Sequence, residues 1–337
     1  MPTKRPKICV MFCGGSKLIG RLNTTLEVRS EPDIARWLDE VPELRIIADL
    51  EPLFVFDGSG QAISPDIWIQ LAQQIKKHYA HYDGFVIMHA FDSMVYTGAA
   101  LSFMLQNLGK PVILTGAQDN STSDPDDDVN LGGFRRLGIR ANLINSVQVA
   151  TMDIAEVCIM FGNRLMRATR THRNLADPVN LFDSGSDTLG KVDFGIKLNE
   201  VRQRRRRTGL LVRADISSDV VVTGIHPGMG PQALLGSMGN NVAGAILPAN
   251  LMRLTKSELI ELNRQAQARK LPLFLPGFTE HIPASLQYLI PVPLMVEEVA
   301  LVKVMWVLGQ TRSISQAKEL MTANLADEFL PERETTP

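Results

Sequence analysis

The chain has 337 residues, with 35 Lys plus Arg against 36 Asp plus Glu for a formal net charge of −1, and 45% of its residues are hydrophobic. That charge balance excludes a general polyanion binder, whose affinity rests on neutralising phosphates, and the apolar content excludes a disordered chain. No run approaches the ~18 consecutive apolar residues needed to span a bilayer, and at ~150 residues per domain the length predicts about two domains.

The amino terminus leads through Lys4, Arg5 and Lys7 into the apolar run Ile8 to Cys13. That run is too short for the core of a secretory signal and no small-residue cleavage site follows it, so a cytoplasmic chain is expected. The three cysteines, Cys9, Cys13 and Cys158, are an odd and sparse set that fits a reducing compartment without a disulfide framework. Cys9 and Cys13 lack the second Cys or His pair that would complete a zinc site, so no metal is expected.

In chain order, Ile8 to Cys13 predicts a buried strand that stops at Gly14-Gly15. Ser64-Pro65 predicts a helix start, with Ser as N-cap and Pro in the first helical position. Ile67, Leu71 and Ile75 then recur every fourth residue on a helix reaching about Tyr79. Gly84 to Met88 predicts a strand, Met94 to Leu108 a helix, Pro111 to Leu114 a strand, Asn142 to Ala150 a helix and Val157 to Phe161 a strand. The run Arg202 to Arg207 reads R-Q-R-R-R-R and, rather than a nucleic-acid patch or address signal, is taken as a solvated linker or exposed loop face, because the charge elsewhere is near zero. Val220 to Thr223 and Ala243 to Leu247 follow as strands. Thr255-x-x-Glu258 is a capping box opening a helix to about Lys270, Leu271 to Leu275 a strand, Glu297 to Leu308 a helix, and Ser313-x-x-Gln316 a second capping box for the last helix.

This alternation predicts an α/β chain: a doubly wound, mostly parallel sheet with a second, smaller α/β domain. The expected division is an amino-terminal domain over 1–200, a basic linker over 201–219, a carboxyl-terminal domain over 220–330 and a tail over 331–337.

In open α/β sheets, ligands bind beyond the carboxyl ends of the strands. Two strand ends stand out. Cys13-Gly-Gly-Ser-Lys17 offers glycines that let backbone amides approach a ligand, with the Ser16 hydroxyl beside them. Met88-His-Ala-Phe-Asp-Ser-Met94 places Asp92 between a strand and a helix. If both strands belong to one sheet, Ser16 and Asp92 share a crevice. Taken alone, Gly14-Gly15 is also an ordinary strand-to-loop turn, and Asp92 an ordinary helix N-cap. Neither segment is a dinucleotide fingerprint or a P-loop, which disfavours a nucleotide-binding protein.

Together these segments resemble the signature motifs of the asparaginase/glutaminase amidohydrolase family. The family's T-G-G-T after an apolar strand stands here as C-G-G-S, ending at Ser16, and its H-G-T-D-T as H-A-F-D-S over His89 to Ser93. Val112 to Gln118 is similar to the family's next strand and loop, and Asn163 to Arg173 to the segment carrying its catalytic lysine. His226 to Met229 and Leu247 to Asn250 resemble the opening of its smaller domain, and Val296 to Gly309 its penultimate helix. The overall pattern resembles the cytoplasmic branch.

The resemblance implies hydrolysis of the side-chain amide of L-asparagine, or a related small amide, to the acid and ammonia. No metal or organic cofactor is implied. The implied partners are a small amino-acid or amide ligand and further copies of the chain in a homodimer or homotetramer, with no nucleic acid and no membrane. Carried over residue by residue, the nucleophilic threonine falls on Ser16, which keeps a hydroxyl. The second threonine falls on Phe91, which has none, and the aspartate is kept as Asp92. The lysine falls on Arg173, whose guanidinium cannot serve as a base at ordinary pH. Gly14, Gly15, Asp57, Ser59, Ser93 and Asn250 are the implied ligand-binding positions. Asp126 to Asp128 are expected in an extra solvated loop. Two readings stay open: an amidohydrolase using Ser16 and Asp92, and a catalytically inactive member that binds an amino acid or small anion. An Arg173–Phe91 cation–π contact, with Arg173 also paired to Asp92, is the expected state of the site if its proton chemistry is lost.

Overall fold

The computed structural model describes residues 5–13, 17–19, 25–27, 30–56, 63–116, 127–174, 181–185, 187–193, 195–207, 209–224, 226, 228–239, 241–247, 255–277 and 282–331, with backbone alone at 17–19, 25–27 and 127–137. The chain divides into two compact units, Met1–Val212 and Arg213–Pro337.

In the first unit the main sheet is built from β1 (Lys7–Cys13), β2 (Asp49–Phe56), β3 (Gly84–His89), β4 (Val112–Thr115), β5 (Val157–Phe161), β6 (Arg164–Arg167), β7 (Thr188–Val192) and β8 (Ile196–Leu198). They form one sheet in the order β8-β7-β6-β5-β4-β3-β1-β2. Strands β2, β1, β3, β4 and β5 run parallel, and β6, β7 and β8 join as an antiparallel tail. Strands β1 and β3 are buried along nearly their whole length, as expected of apolar runs covered on both faces.

Helix α1 (Glu31–Asp39) joins β1 to β2, α2 (Pro65–His78) joins β2 to β3, α3 (Met94–Met104) joins β3 to β4, and α4 (Asp127–Thr151) joins β4 to β5. Alternation along the strands sends Ile8, Val10, Phe12, Val86, Met88, Ile113 and Cys158 to one face. There they pack with Ile34, Trp37 and Leu38 of α1 and Leu143 and Val147 of α4. Helix α3 is buried on nearly every side, which suits its apolar sequence.

Two expected segments run differently in the structure. Helix α3 ends at Met104, because Leu105–Gln106 turns out to pair antiparallel with Leu211–Val212. Asp127 and Asp128 open α4 and so are not loop residues, while Asp126 lies outside the described residues.

The arginine run also takes a different place from the expected linker. It belongs to the first unit and straps the amino ends of the strands. Arg205 donates to the carbonyl oxygens of Asp83 (2.6 Å), Ala150 (2.5 Å) and Met152 (2.6 Å). The Arg206 amide reaches Gly109 O, and the Glu156 carboxylate accepts from the Gln203 amide. Arginine is used here because one planar fork satisfies several carbonyls at once.

The second unit holds β9 (Val220–Val222), β10 (Gly244–Ile246), β11 (Leu273–Pro276) and β12 (Leu289–Val292), all parallel and in chain order. Helices α5 (Pro231–Gly236) and α6 (Lys256–Arg269) bury Leu234, Leu235, Leu262 and Ala266 with Ala245, Leu273 and Leu275 of the sheet. Helix α7 (Glu297–Gln310) is apolar almost all round, and α8 (Ile314–Thr322) follows it. No helix among the described residues is long and apolar enough to cross a membrane.

Candidate functional site

The parallel part of the larger sheet reads β2-β1-β3-β4-β5. The chain leaves β1 toward β2 on one side and β3 toward β4 on the other. The carboxyl ends of β1 and β3 therefore flank the point where the winding reverses, the usual ligand crevice of such sheets. Cys13, the last residue of β1, stands in register with His89, the last residue of β3. The residues that follow these two strands therefore start from adjacent strand ends. Gly14, Gly15, Ser16, Asp57, Ser59 and Asn250 lie outside the described residues.

His89 is wholly buried and holds the end of β3. Its partners dictate its tautomer. The Trp68 indole N–H can only donate, and it does so to Thr97 Oγ1 at 2.9 Å. Thr97 Oγ1 lies 2.8 Å from His89 Nε2, with its own proton and a second lone pair still to use. The Ala90 carbonyl, 2.7 Å from Nδ1, can only accept, so Nδ1 carries the proton of the neutral ring and Nε2 accepts from the Thr97 hydroxyl. Burial pushes the imidazole down from 6.5 to about 4, against the opposing pull of the Ala90 carbonyl and the Asp92 charge. His89 is thus a neutral peg tying α2, α3 and β3 together, not a proton shuttle.

After Ala90, Phe91–Ser93 form one tight 3₁₀ turn that runs straight into α3. Phe91 is half-buried and Asp92 exposed. The Asp92 carboxylate does not cap the helix. Its hydrogen bond among the described residues comes from the neighbouring Ser93 hydroxyl, a long one at 3.4 Å. One close backbone approach shapes this end of the sheet. A Cβ on Gly116, just after β4, would lie 2.0 Å from the His89 carbonyl oxygen, so only glycine lets the two strand ends meet. Asn142 of α4 then braces the neighbouring ends, donating to Gly116 O (3.2 Å) and accepting from the Gly162 amide (2.9 Å).

Arg173 reaches the same place from the far side. The short turn Ala168–Arg170 packs on α3 where Gly98 leaves room, since a Cβ there would come within 2.8 Å of the Ala168 Cβ. His172–Arg173 then pair with Phe182–Asp183. The Arg173 guanidinium lies over the Phe91 ring, 5.3 Å from its centroid, and Nη1 donates to the Asp92 main-chain oxygen at 3.3 Å. The expected cation–π contact is present, but the pairing with Asp92 runs through the carbonyl and not the carboxylate.

Phe91, Asp92, Ser93 and Arg173 thus come together, with His89, Trp68, Thr97 and Asn142 as supports that the sequence did not single out. No group of three or more His, Cys, Asp or Glu among the described residues is placed to hold a metal ion. The Cys9 and Cys13 thiols are buried, which pushes both up to about 12 and leaves them poor nucleophiles.

The family model for the amino-terminal domain of asparaginases matches residues 7–204. A component of the glutamyl-tRNA(Gln) amidotransferase of Pyrococcus horikoshii is 28% identical over 317 residues, covering 86% of this chain and 69% of that one. L-asparaginase 1 of Escherichia coli K12 is 36% identical over 189 residues, covering 55% of this chain and 52% of its own. The crystal structure of L-asparaginase I from Vibrio cholerae superposes with a TM-score of 0.77 at 27% identity, covering 97% of this chain and 100% of that one.

Proposed function

Because the chain belongs to the asparaginase family of amidohydrolases, we propose that it hydrolyses the side-chain amide of L-asparagine, or of a related small amide, in the crevice beyond β1 and β3. The observation that carries this reading is the in-register parallel pairing of Cys13 with His89. It starts the Gly14-Gly15-Ser16 segment and the Phe91-Asp92-Ser93 turn from adjacent strand ends at the switch point of the sheet.

In this reading the Ser16 hydroxyl adds to the amide carbon while the Gly14 and Gly15 amides take the developing oxyanion. The hydroxyl proton passes toward the Asp92–Ser93 pair and leaves with ammonia. Water then cleaves the serine ester, releasing the acid and restoring Ser16. Asp57, Ser59 and Asn250 hold the amino and carboxylate groups of the ligand. Arg173 cannot take a proton, so its part is electrostatic. The working form is a homodimer or homotetramer in the cytoplasm.

A second reading, binding of an amino acid or small anion without turnover, is favoured by the Arg173–Phe91 contact. It sets a ring and a permanent cation where the family pattern places a hydroxyl and an amine. Ammonia release from L-asparagine or L-glutamine by the purified full chain supports hydrolysis. Thermal stabilisation by asparagine, aspartate or related anions with no ammonia supports binding alone. The absence of both overturns both.

A further inference from the structure

We propose that the crevice prefers an acid to the corresponding amide, because Arg173, which pairs with no carboxylate among the described residues, offers its guanidinium to a carboxylate of the ligand. The inference rests on the reading of the crevice beyond β1 and β3 as the ligand site.

Four arginines of one stretch of chain have contrasting partners. Arg164 pairs with Asp183 at 3.0 Å, Arg167 with Glu156 at 2.6 Å, and Arg170 with Asp187. Arg173 differs from these three. Among the described residues its partners are the Asp92 carbonyl oxygen and the Phe91 ring, and no carboxylate pairs with it. Both contacts orient the group without cancelling its charge. The guanidinium carbon lies over the ring, and the carbonyl takes one N–H. The other edge donors remain, in the planar fork that matches a carboxylate.

The segment is also anchored. The Ala168 turn is seated against Gly98, Thr171 is buried with its hydroxyl on Arg167 O at 2.7 Å, and His172–Arg173 are paired to Phe182–Asp183. The cation is thus set in position before the ligand arrives, and little ordering is left to oppose binding. A carboxylate meets this fork with charge-assisted hydrogen bonds. A side-chain amide offers one neutral oxygen and an NH₂ group that points donors at donors.

The test is calorimetric titration of the full chain with L-aspartate and with L-asparagine, repeated on Arg173→Gln and Arg173→Lys. The expected result is that wild type binds aspartate ~10- to 100-fold more tightly than asparagine, the range of a charge-assisted hydrogen bond. This ratio should shrink as salt is raised, because the pair is partly exposed to solvent. Arg173→Gln brings the ratio to about one, and Arg173→Lys keeps part of it, since an ammonium carries the charge without the fork. Equal affinities in wild type, or a preference that survives in Arg173→Gln, overturns this inference and leaves the ligand site standing. Binding of neither compound overturns the inference and the placement of the site together.

Discussion

Thr97 donates its hydroxyl proton to His89 Nε2 across 2.8 Å, joining α3 to the last residue of β3 inside the core. The Trp68 indole donates to the same hydroxyl, and burial holds the imidazole neutral, with its one ring proton on Nδ1 and donated to the Ala90 carbonyl. The strand end that carries Phe91 and Asp92 is fixed through this relay.

The relay makes stability depend on pH in a stated direction. Burial lowers His89 to about 4, against 6.5 for the exposed group. Between these values the unfolded chain binds the proton and the folded chain does not. The contribution is therefore complete above about pH 6.5 and is lost as pH falls toward 4. Its slope is about 1.4 kcal/mol per pH unit. Urea denaturation followed between about pH 6 and pH 5, inside that window, should show a slope shallower by about that amount in His89→Gln than in wild type. Equal slopes would show that His89 is not held neutral.

The Phe91–Arg173 pair supplies neither a hydroxyl nor a base. Replacing Phe91→Thr together with Arg173→Lys restores both chemical types at positions the structure brings together. The double variant should release ammonia from L-asparagine ~10²- to 10⁴-fold faster than wild type, the usual reach of positioned acid–base groups. An unchanged rate would show that these two residues do not limit the chemistry.

The arginine strap separates a structural cation from its solvated neighbours. Arg205→Ala strands three carbonyls at the amino ends of the strands and should cost about 2–4 kcal/mol in urea denaturation. Arg205→Lys should recover less than half, since a single ammonium cannot serve all three. Arg204, exposed and paired with Glu200, should be replaceable by alanine with no measurable change.

In the second unit, Lys303 is fully buried in α7 and donates to Met321 O (2.9 Å), Ala323 O (2.6 Å) and Glu328 (2.5 Å), pinning the chain after α8. Glu328 also accepts from the Leu325 and Ala326 amides. Lys303→Met leaves that carboxylate buried without its cation and should cost about 3–5 kcal/mol. Adding Glu328→Gln should recover much of the loss, and denaturation of the two variants side by side checks it.

The parallel strands were legible because Ile8 to Cys13 and Gly84 to Met88 are unbroken apolar runs between turn residues. The antiparallel tail was not. Strand β6 reads Arg-Leu-Met-Arg, and its arginines are paired with Glu156 and Asp183, which a local pattern cannot reveal. Both capping boxes were visible, but only one is complete. Thr255 and Glu258 exchange both bonds, whereas the Gln316 side chain turns to Thr311 and leaves Ser313 with a single long contact.

At the site, Phe91, Asp92 and Arg173 were legible from motif resemblance, and their meeting is a tertiary fact. The His89 relay was illegible in principle. Trp68, Thr97 and His89 come from three elements, and none of them follows a helical or strand pattern that marks it as polar machinery.

The most direct test of the account is ammonia release from L-asparagine by the full chain beside Ser16→Ala. The account predicts measurable release by wild type and a loss of at least about 10³-fold in the variant, as for removal of a nucleophile. Undiminished release in Ser16→Ala, or no release by a wild-type chain that binds asparagine, would contradict it.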